Sequence, residues 1–534
     1  MPRNFRLAPV AVLLVIMLCG FLGVSYSQRN SPSSAETDVK DGLRQFSEVY
    51  DLVENNYAEP VNADKAIYSG AIPGMLHVLD PHSNFFDPRS FTALREEQQG
   101  RYYGVGMTIA PRNNKIIVLA PFVGTPAYRA GIRPGDVIMA VDGKPTDNLS
   151  TPDVADMLKG PKGTTVHISI LRETSDKPLE FTVVRAEIPR NSVDLKFMIQ
   201  PEIGYMHVSS FGETTEHEVQ QALEEFGDLQ GLILDLRGNP GGLLNAGIGV
   251  ADKFLEKGQV IVSHHGRSSP ERSYRASHGN GGKDYPLVVL VNRGSASAAE
   301  IVSGAIQDHD RGLIAGETTF GKGLVQTVYP LSGNTALALT TAKYYTPSGR
   351  LIQREYTGVS LYDYYYNRDS EDPQSAHPSK DVRTTDSGRT VYGGGGITPD
   401  VKVAAIKTTK FEDSLLQHYA FFNFAAHYLN GRSIEKNFQV DDATLQEFRK
   451  FLESQKIHYT EAEMTEAMDW IKMDIKTELF IAQFGQQEGL RVRAELDPQV
   501  RSAVQLLPKA RELTENARRI KEQRAAGGGP ASRP

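Results

Sequence analysis

Residues 286–326, PLVVLVNRGSASAAEIVSGAIQDHDRGLIAGETTFGKGLVQ, decide how the rest of the chain is read. Pro286–Val291 is a short apolar, β-branched run of the kind that forms a buried parallel strand, and Asn292, Arg293 and Gly294 end it. The small residues from Ser295 to Ala299 suit a strand-to-helix junction, after which Ile301, Val302, Ala305 and Ile306 recur at the spacing of one buried helical face. Ser297 is expected at the helix start, where backbone N–H groups lack intrahelical partners. A hydroxyl held there has the surroundings of a nucleophile beside an oxyanion hole.

A serine nucleophile needs a base. Gly312–Gly316 reads as a second short strand, and Thr319–Gly323 puts Lys322 between two glycines in a tight turn. Helix, strand and turn together bring the chain back beside Ser297. At its ordinary pKa of roughly 10.4 a lysine is a poor base near neutrality, and desolvation beside Phe320 lowers it. Gln326, four residues on, can accept a hydrogen bond from the amine and orient it without adding negative charge. A small-residue helix packed closely on a sheet is the bland alternative, and the downstream lysine and glutamine argue against it.

The run G-S-A-S-A-A-E followed by T-F-G-K-G-x-x-Q resembles the carboxy-terminal processing, or tail-specific, proteases, serine peptidases with a Ser–Lys pair. The resemblance implies that Ser297 is the nucleophile, Lys322 the base and Gln326 the residue that orients it. It also implies a ClpP/crotonase-like α/β core.

The remaining sequence extends this reading. At 534 residues the chain is too long for one core. Its 65 acidic and 58 basic residues leave a net charge of -7, which provides no footprint for nucleic acid. Arg3 and Arg6 precede the uncharged apolar run Leu7–Val24, and polar residues follow, the pattern of an export signal. Ser25-Tyr26-Ser27 suits cleavage before Gln28, while the length of the run also suits a retained anchor. Residues 1–27 are therefore read as a signal peptide or membrane anchor. The expected location is the bacterial cell envelope, periplasmic or anchored to the inner membrane facing the periplasm. Cys19, the only cysteine, lies in this run, and Leu18 before it does not fit a lipoprotein cleavage site.

Residues 36–100 read as helical, with Leu43, Phe46, Val49, Tyr50 and Val53 at helical spacing and a second segment from Ala66 to Leu79. In Asp80-Pro81-His82-Ser83, which ends the region, His82 reads as a hydrogen-bonding turn residue rather than a catalytic one. Residues 101–187 resemble a PDZ domain. Gly104 and Gly106 let backbone N–H groups converge on a peptide carboxylate, the following strand pairs with the peptide, and Val105 and Met107 are candidates for the pocket of its last side chain. Residues 188–405 read as the α/β protease core. Within it, the loop from Arg237 to Gly242 lacks the Lys-Ser/Thr ending of a nucleotide site. The family resemblance makes it a source of one oxyanion N–H, from Gly241 or Gly242, with Ala298 supplying the other. Residues 355–395 read as an exposed insertion carrying Tyr364, Tyr365 and Tyr366. Residues 406–523 return to helical periodicity, with one further helix over 489–523, and 524–534 read as a disordered tail.

The expectation is a multidomain α/β protein with an inserted PDZ β-sandwich or barrel and helical ends. It acts as an exported Ser–Lys endopeptidase that recognises C-terminal tails in envelope protein processing or degradation. Neither cofactor nor metal is implied, because the adjacent His264 and His265 point to opposite faces of an extended strand. Protein substrates with accessible tails are the expected partners, and no nucleic acid is. An adaptor protein, homo-oligomerisation through the helical ends and membrane contact through a retained N-terminal segment stay open. A non-catalytic PDZ scaffold of the envelope is the competing reading from another class, and an oligopeptidase is the enzymatic alternative.

Overall fold

The apolar runs in the middle of the chain form the centre of a six-stranded sheet. In spatial order its strands are Val193–Gln200, Ile203–Val208, Gly231–Asp235, Leu287–Val291, Leu313–Gly316 and Val401–Lys402. The first two pair antiparallel and the other neighbours pair parallel. Gly231–Asp235 and Leu287–Val291 are buried at every position, as parallel strands covered on both faces must be. One face, with Leu232, Leu234, Leu287 and Val289, packs against the helices Thr215–Phe226, Leu244–Asp252 and Ala298–Asp308. The other, with Ile233, Val288 and Leu290, is covered by Val500, Ala503, Leu507 and Ala510 of the helix Pro498–Ala526.

This last helix departs from the sequence reading. Two helices, Gln486–Leu496 and Pro498–Ala526, replace the single helix expected over 489–523, because Asp497 is extended and Pro498 starts a new segment. The second does not belong to a separate helical end. It covers a sheet face that would otherwise expose a row of aliphatic side chains, and it continues past residue 524 to Ala526.

The computed structural model describes residues 34–112, 114–172, 175, 177–366, 381–405 and 407–526, in two units divided after Val78. The expected signal or anchor over 1–27, Cys19 and the tail from residue 527 lie outside these residues. Among the described residues no helix is long and apolar enough to cross a membrane. In the first unit the helix Ser34–Asn56 carries a stripe of exposed apolar side chains, Val39, Leu43, Phe46, Val49 and Leu52.

Within the second unit, residues 107–184 build an antiparallel sheet around their own core, with Thr151–Leu158 packed on it. A short ladder between Arg101–Gly104 and Ala186–Pro189 closes the neck of this module. Residues 411–492 form a helical cluster with aromatic packing through Phe421, Phe424, Phe448 and Trp470. A further sheet joins Asn84–Phe86, Ala336–Tyr345, Val260–Gly266 and Ser269–Arg275, with Leu324–Pro330 paired to Ala336–Tyr345. In it His264 contacts Tyr274 while His265 stacks on Tyr345.

The C-terminal end of Ala298–Asp308 is tied down by an ion pair with no exposed side-chain surface, Asp308–Arg350 at 2.8 Å. Arg350 also donates to Gln307 Oε1 and to the Tyr392 carbonyl. Arg350→Ala leaves Asp308 as an uncompensated buried charge and is expected to cost about 3–5 kcal/mol of stability. Urea unfolding measures this loss, and an unchanged midpoint would exclude it.

Candidate active site

Two loops at the carboxyl ends of the central strands are stitched together at the backbone. Asn292 Oδ1 accepts the N–H groups of Gly238 and Gly294, Ser295 Oγ donates to the Leu236 carbonyl at 2.7 Å, and Ala296 N–H donates to the Asn239 carbonyl. Between these bonds Ser297 is forced to φ +53° and ψ −113°, a conformation that a residue with a side chain adopts only at a cost. Gly241, at φ +97°, lies so close that a Cβ on it would sit 2.6 Å from Ser297 Cβ. Only glycine fits there.

Glu300 holds the serine turn and the lysine turn at once. Its side chain is fully buried and accepts four hydrogen bonds: at Oε2 from the N–H groups of Ser297 (2.8 Å) and Lys322 (2.9 Å), at Oε1 from Gly321 N–H (2.7 Å) and the Thr319 hydroxyl (2.5 Å). Four donors require an acceptor-only carboxylate. Burial pushes its pKa above the ordinary carboxylate value, and these donors oppose the rise. The buried Tyr344 hydroxyl adds a second link, donating toward the carbonyl oxygens of both Ser297 (3.0 Å) and Lys322.

Ser297, Lys322, Gln326, Ala298, Gly241 and Gly242 all line one cleft of about 740 Å³, with His82 and Tyr344 in the same wall. Burial pulls the Lys322 amine below the ordinary lysine value, against the charges of Glu300 and Asp80, which favour the ammonium form. Gln326 directs its amide nitrogen to Thr340 Oγ1 at 3.3 Å. The loop glycines differ in a way that sequence cannot show. Gly241 N–H already donates to Asn239 Oδ1 at 2.8 Å, whereas among the described residues no acceptor takes the N–H of Gly242 or of Ala298.

Arg237 anchors the same loop from below. Its guanidinium binds Asp235, Asp497 (2.9 Å) and Gln499 (2.6 Å), so the start of the last helix is bonded to the glycine-rich loop. The Arg237 carbonyl meets His207 Nε2 at 3.1 Å; burial would lower the pKa of His207, but Asp194 at 2.6 Å outweighs it and holds the pKa at about 9.

The tail-binding candidates occupy the entrance of the 101–187 module. Gly104 ends the neck strand, Gly106 has φ +80° with Thr125 packed against its Cα, and Met107 begins the strand Met107–Arg112. The Val105 and Gly106 carbonyls accept from Ala127 and Phe122, while among the described residues their own N–H groups meet no acceptor. The side chains of Val105 and Met107 lie in the core with Val154 and Leu158.

His82 behaves as a turn residue in hydrogen bonding, since its Nε2 lies 2.9 Å from the Tyr364 hydroxyl, yet it also faces the cleft. The tyrosine run is not wholly exposed: Tyr365 and Tyr366 are exposed, but Tyr364 is buried, because Arg354 and Phe320 pack around its ring. Of the residues that sequence reading left without a role, Glu300 had a signal in its capping-box spacing three residues after Ser297. Tyr344 had none, because its partners are remote in sequence, and the same is true of the Arg237 contacts with Asp497 and Gln499.

Four family models match parts of the chain: peptidase family S41 at residues 202–360, a PDZ domain at 117–172, the C-terminal helical domain of a probable PDZ-protease at 411–465, and the N-terminal domain of activating protease CtpB at 23–90. The chain is 39% identical over 324 residues to a carboxy-terminal-processing protease of Bartonella bacilliformis, covering 60% of this chain and 74% of that protein. It is 32% identical over 331 residues to carboxy-terminal processing protease CtpB of Bacillus subtilis, covering 61% and 68% respectively. Among solved structures, a photosystem II D1 C-terminal processing protease aligns at 31% identity over 67% of this chain and 86% of that one, with a TM-score of 0.33.

Proposed function

The chain belongs to the carboxy-terminal processing serine proteases of peptidase family S41, and from that premise we propose that Ser297 and Lys322 cleave proteins whose C-terminal tails the PDZ domain holds. The observation that carries the reading is the burial of Lys322 in the cleft that Ser297 lines, which shifts the amine away from its ammonium form. Lys322 takes the Ser297 proton as Oγ attacks the scissile carbonyl, and then returns it to the departing amine. In the second half it takes a proton from the water that hydrolyses the acyl-enzyme. The oxyanion is held by the N–H groups of Ala298 and Gly242, the choice of Gly242 being favoured by the prior engagement of Gly241. Gln326 lies within the same cleft and orients the amine as substrate enters.

Further parts of the reading rest on separate supports. A ClpP/crotonase-like core is favoured by the parallel strands whose following loops carry the site. Export to the cell envelope is favoured by Arg3, Arg6 and the apolar run Leu7–Val24. Self-association through the helical ends is favoured by the exposed stripe of Val39, Leu43, Phe46, Val49 and Leu52.

The test uses an unfolded protein ending in an apolar tail, offered to the purified chain with its C-terminal carboxylate free or amidated. The free tail is expected to be cleaved faster. Gly106→Ala places a Cβ at φ +80° and 2.5 Å from Thr125 Cβ, so the carboxylate loop must shift. With one charge-assisted hydrogen bond lost, tail-peptide affinity is expected to fall about tenfold or more by calorimetry. Equal turnover of free and amidated tails, with normal peptide binding by Gly106→Ala, would remove the tail-recognition part of the reading.

A further inference from the structure

His82, in the wall of the cleft with Lys322, is backed by residues 353–365, a segment far away in sequence that the chemistry above does not use. A chain of hydrogen bonds joins them. Gly323 N–H donates to Gln353 Oε1 (2.8 Å), Gln353 Nε2 donates to the Tyr364 hydroxyl (3.1 Å), and that hydroxyl lies 2.9 Å from His82 Nε2. On the other side of the imidazole, Tyr365 Oη is 3.5 Å from His82 Nδ1 and donates to the Pro81 carbonyl at 2.7 Å. The ends set the direction, because the Gly323 amide can only donate and the Pro81 carbonyl can only accept. For a neutral imidazole, with the Tyr365 proton committed to the Pro81 carbonyl, Nδ1–H faces Tyr365 Oη and Nε2 accepts from Tyr364.

Around this chain the packing is aromatic. Phe320, two residues before the lysine, sits edge-on to His82 and Tyr364, and the Arg354 guanidinium stacks over both Phe320 (4.7 Å) and Tyr364 (4.3 Å). Arg354 N–H also donates to the Gly321 carbonyl, so both glycines flanking Lys322 are bonded to residues 353–354. Glu300, from the serine helix, and Asp80, from the turn, turn negative charge toward Lys322, and Arg354 lies behind Phe320. The imidazole is the titratable group facing Lys322 from residues 80–83 besides Asp80; burial first, and then the lysine's own charge, pull its pKa down to about 3. Two carboxylates thus favour the ammonium form of Lys322, and exclusion of water has to outweigh them.

We propose that His82 and Tyr364 are positioning residues for the base: locked together by the hydrogen-bond chain, they seal the Lys322 wall against water and keep the lysine a free amine beside Glu300 and Asp80. This rests on Lys322 acting as the base. The amine can be read without turnover by competitive acetylation with acetic anhydride across a pH series, using the full chain carrying Ser297→Ala and quantifying Lys322 by mass spectrometry. Opening the wall with Tyr364→Ala is expected to move the midpoint up by about one pH unit or more, a tenfold fall in amine fraction below it. His82→Ala is expected to move it the same way and covers the case in which Tyr364→Ala does not fold. Tyr364→Phe, which keeps the ring, is expected to fall between parent and Tyr364→Ala. A smaller rise, no change or a fall in folded Tyr364→Ala or His82→Ala overturns the proposal. Failure of the Ser–Lys reading itself shows separately, as cleavage by Lys322→Ala.

Discussion

Lys322→Ala is expected to lower kcat/KM on a tailed protein substrate by about 10⁴-fold or more, equivalent to about 5.5 kcal/mol of transition-state stabilisation. The size follows from the division of labour. A serine hydroxyl is a poor nucleophile until its proton is removed, and neither Glu300 nor Tyr344 is free to accept it: the Glu300 oxygens are filled by four donors, and the Tyr344 hydroxyl is engaged with two carbonyls. Ser297→Ala is expected to cost as much, and the double variant little more than either, because in the proposed mechanism nucleophile and base act as one unit. Tail binding by the PDZ domain is expected to persist in all three. Arginine at position 322 is expected to be as inactive as alanine, since guanidinium is not deprotonated in proteins. Initial rates with a fluorescent tailed substrate, beside circular dichroism to establish folding, measure the effect. Undiminished cleavage by folded Lys322→Ala would end the assignment of Lys322 as base.

Glu300→Gln carries the second large effect, on a residue expected never to touch substrate. The substitution keeps the shape and exchanges one oxygen for an NH₂ group. If that group replaces Oε2 it faces the N–H groups of Ser297 and Lys322; if it replaces Oε1 it faces Gly321 N–H. In either orientation at least one buried backbone donor loses its acceptor, at a cost of about 1–3 kcal/mol. The molecule relieves this by moving the serine turn, already strained at φ +53°, or the lysine turn. Displacement of a reacting group by ~1 Å is enough for a loss of about 10²-fold, so kcat is expected to fall by about that factor while KM stays close to that of the parent. Glu300→Asp is not expected to rescue it, being one methylene too short to span both turns. A Gln variant with parental kcat would show that the two turns hold their places without the carboxylate.

The legible parts of the site share a property: each is written in neighbours along the chain. Ser297 was found from small residues between a strand-like run and a helical period, Lys322 from its glycines, and the strands Gly231–Asp235 and Leu287–Val291 from continuous apolar runs. The PDZ module was legible from turn glycines and the Pro126 helix start. The missed parts are written across the chain. Tyr344 reaches back to Ser297, Tyr364 reaches His82 across most of the protein, and Arg237 finds Asp497 and Gln499 on the final helix. The same holds for the last helix: a helix is expected over 489–523, but its partner, the second face of the central sheet, is not written in neighbouring residues.

The sequence by itself determined where the candidate groups lie along the chain: a serine at a helix start, a lysine in a glycine turn and a glycine-rich turn at the head of the PDZ module. These depend on backbone preference and side-chain periodicity, which act over a few residues and survive without knowledge of the fold. Only the tertiary structure decided which loop glycine keeps a free N–H, which carboxylate couples the two turns, and how dry the lysine is. Those are matters of burial and of hydrogen-bond partnership. A buried polar group must be satisfied by whatever the fold brings within about 3 Å, however remote in sequence, and the pKa of a lysine follows the water it has lost.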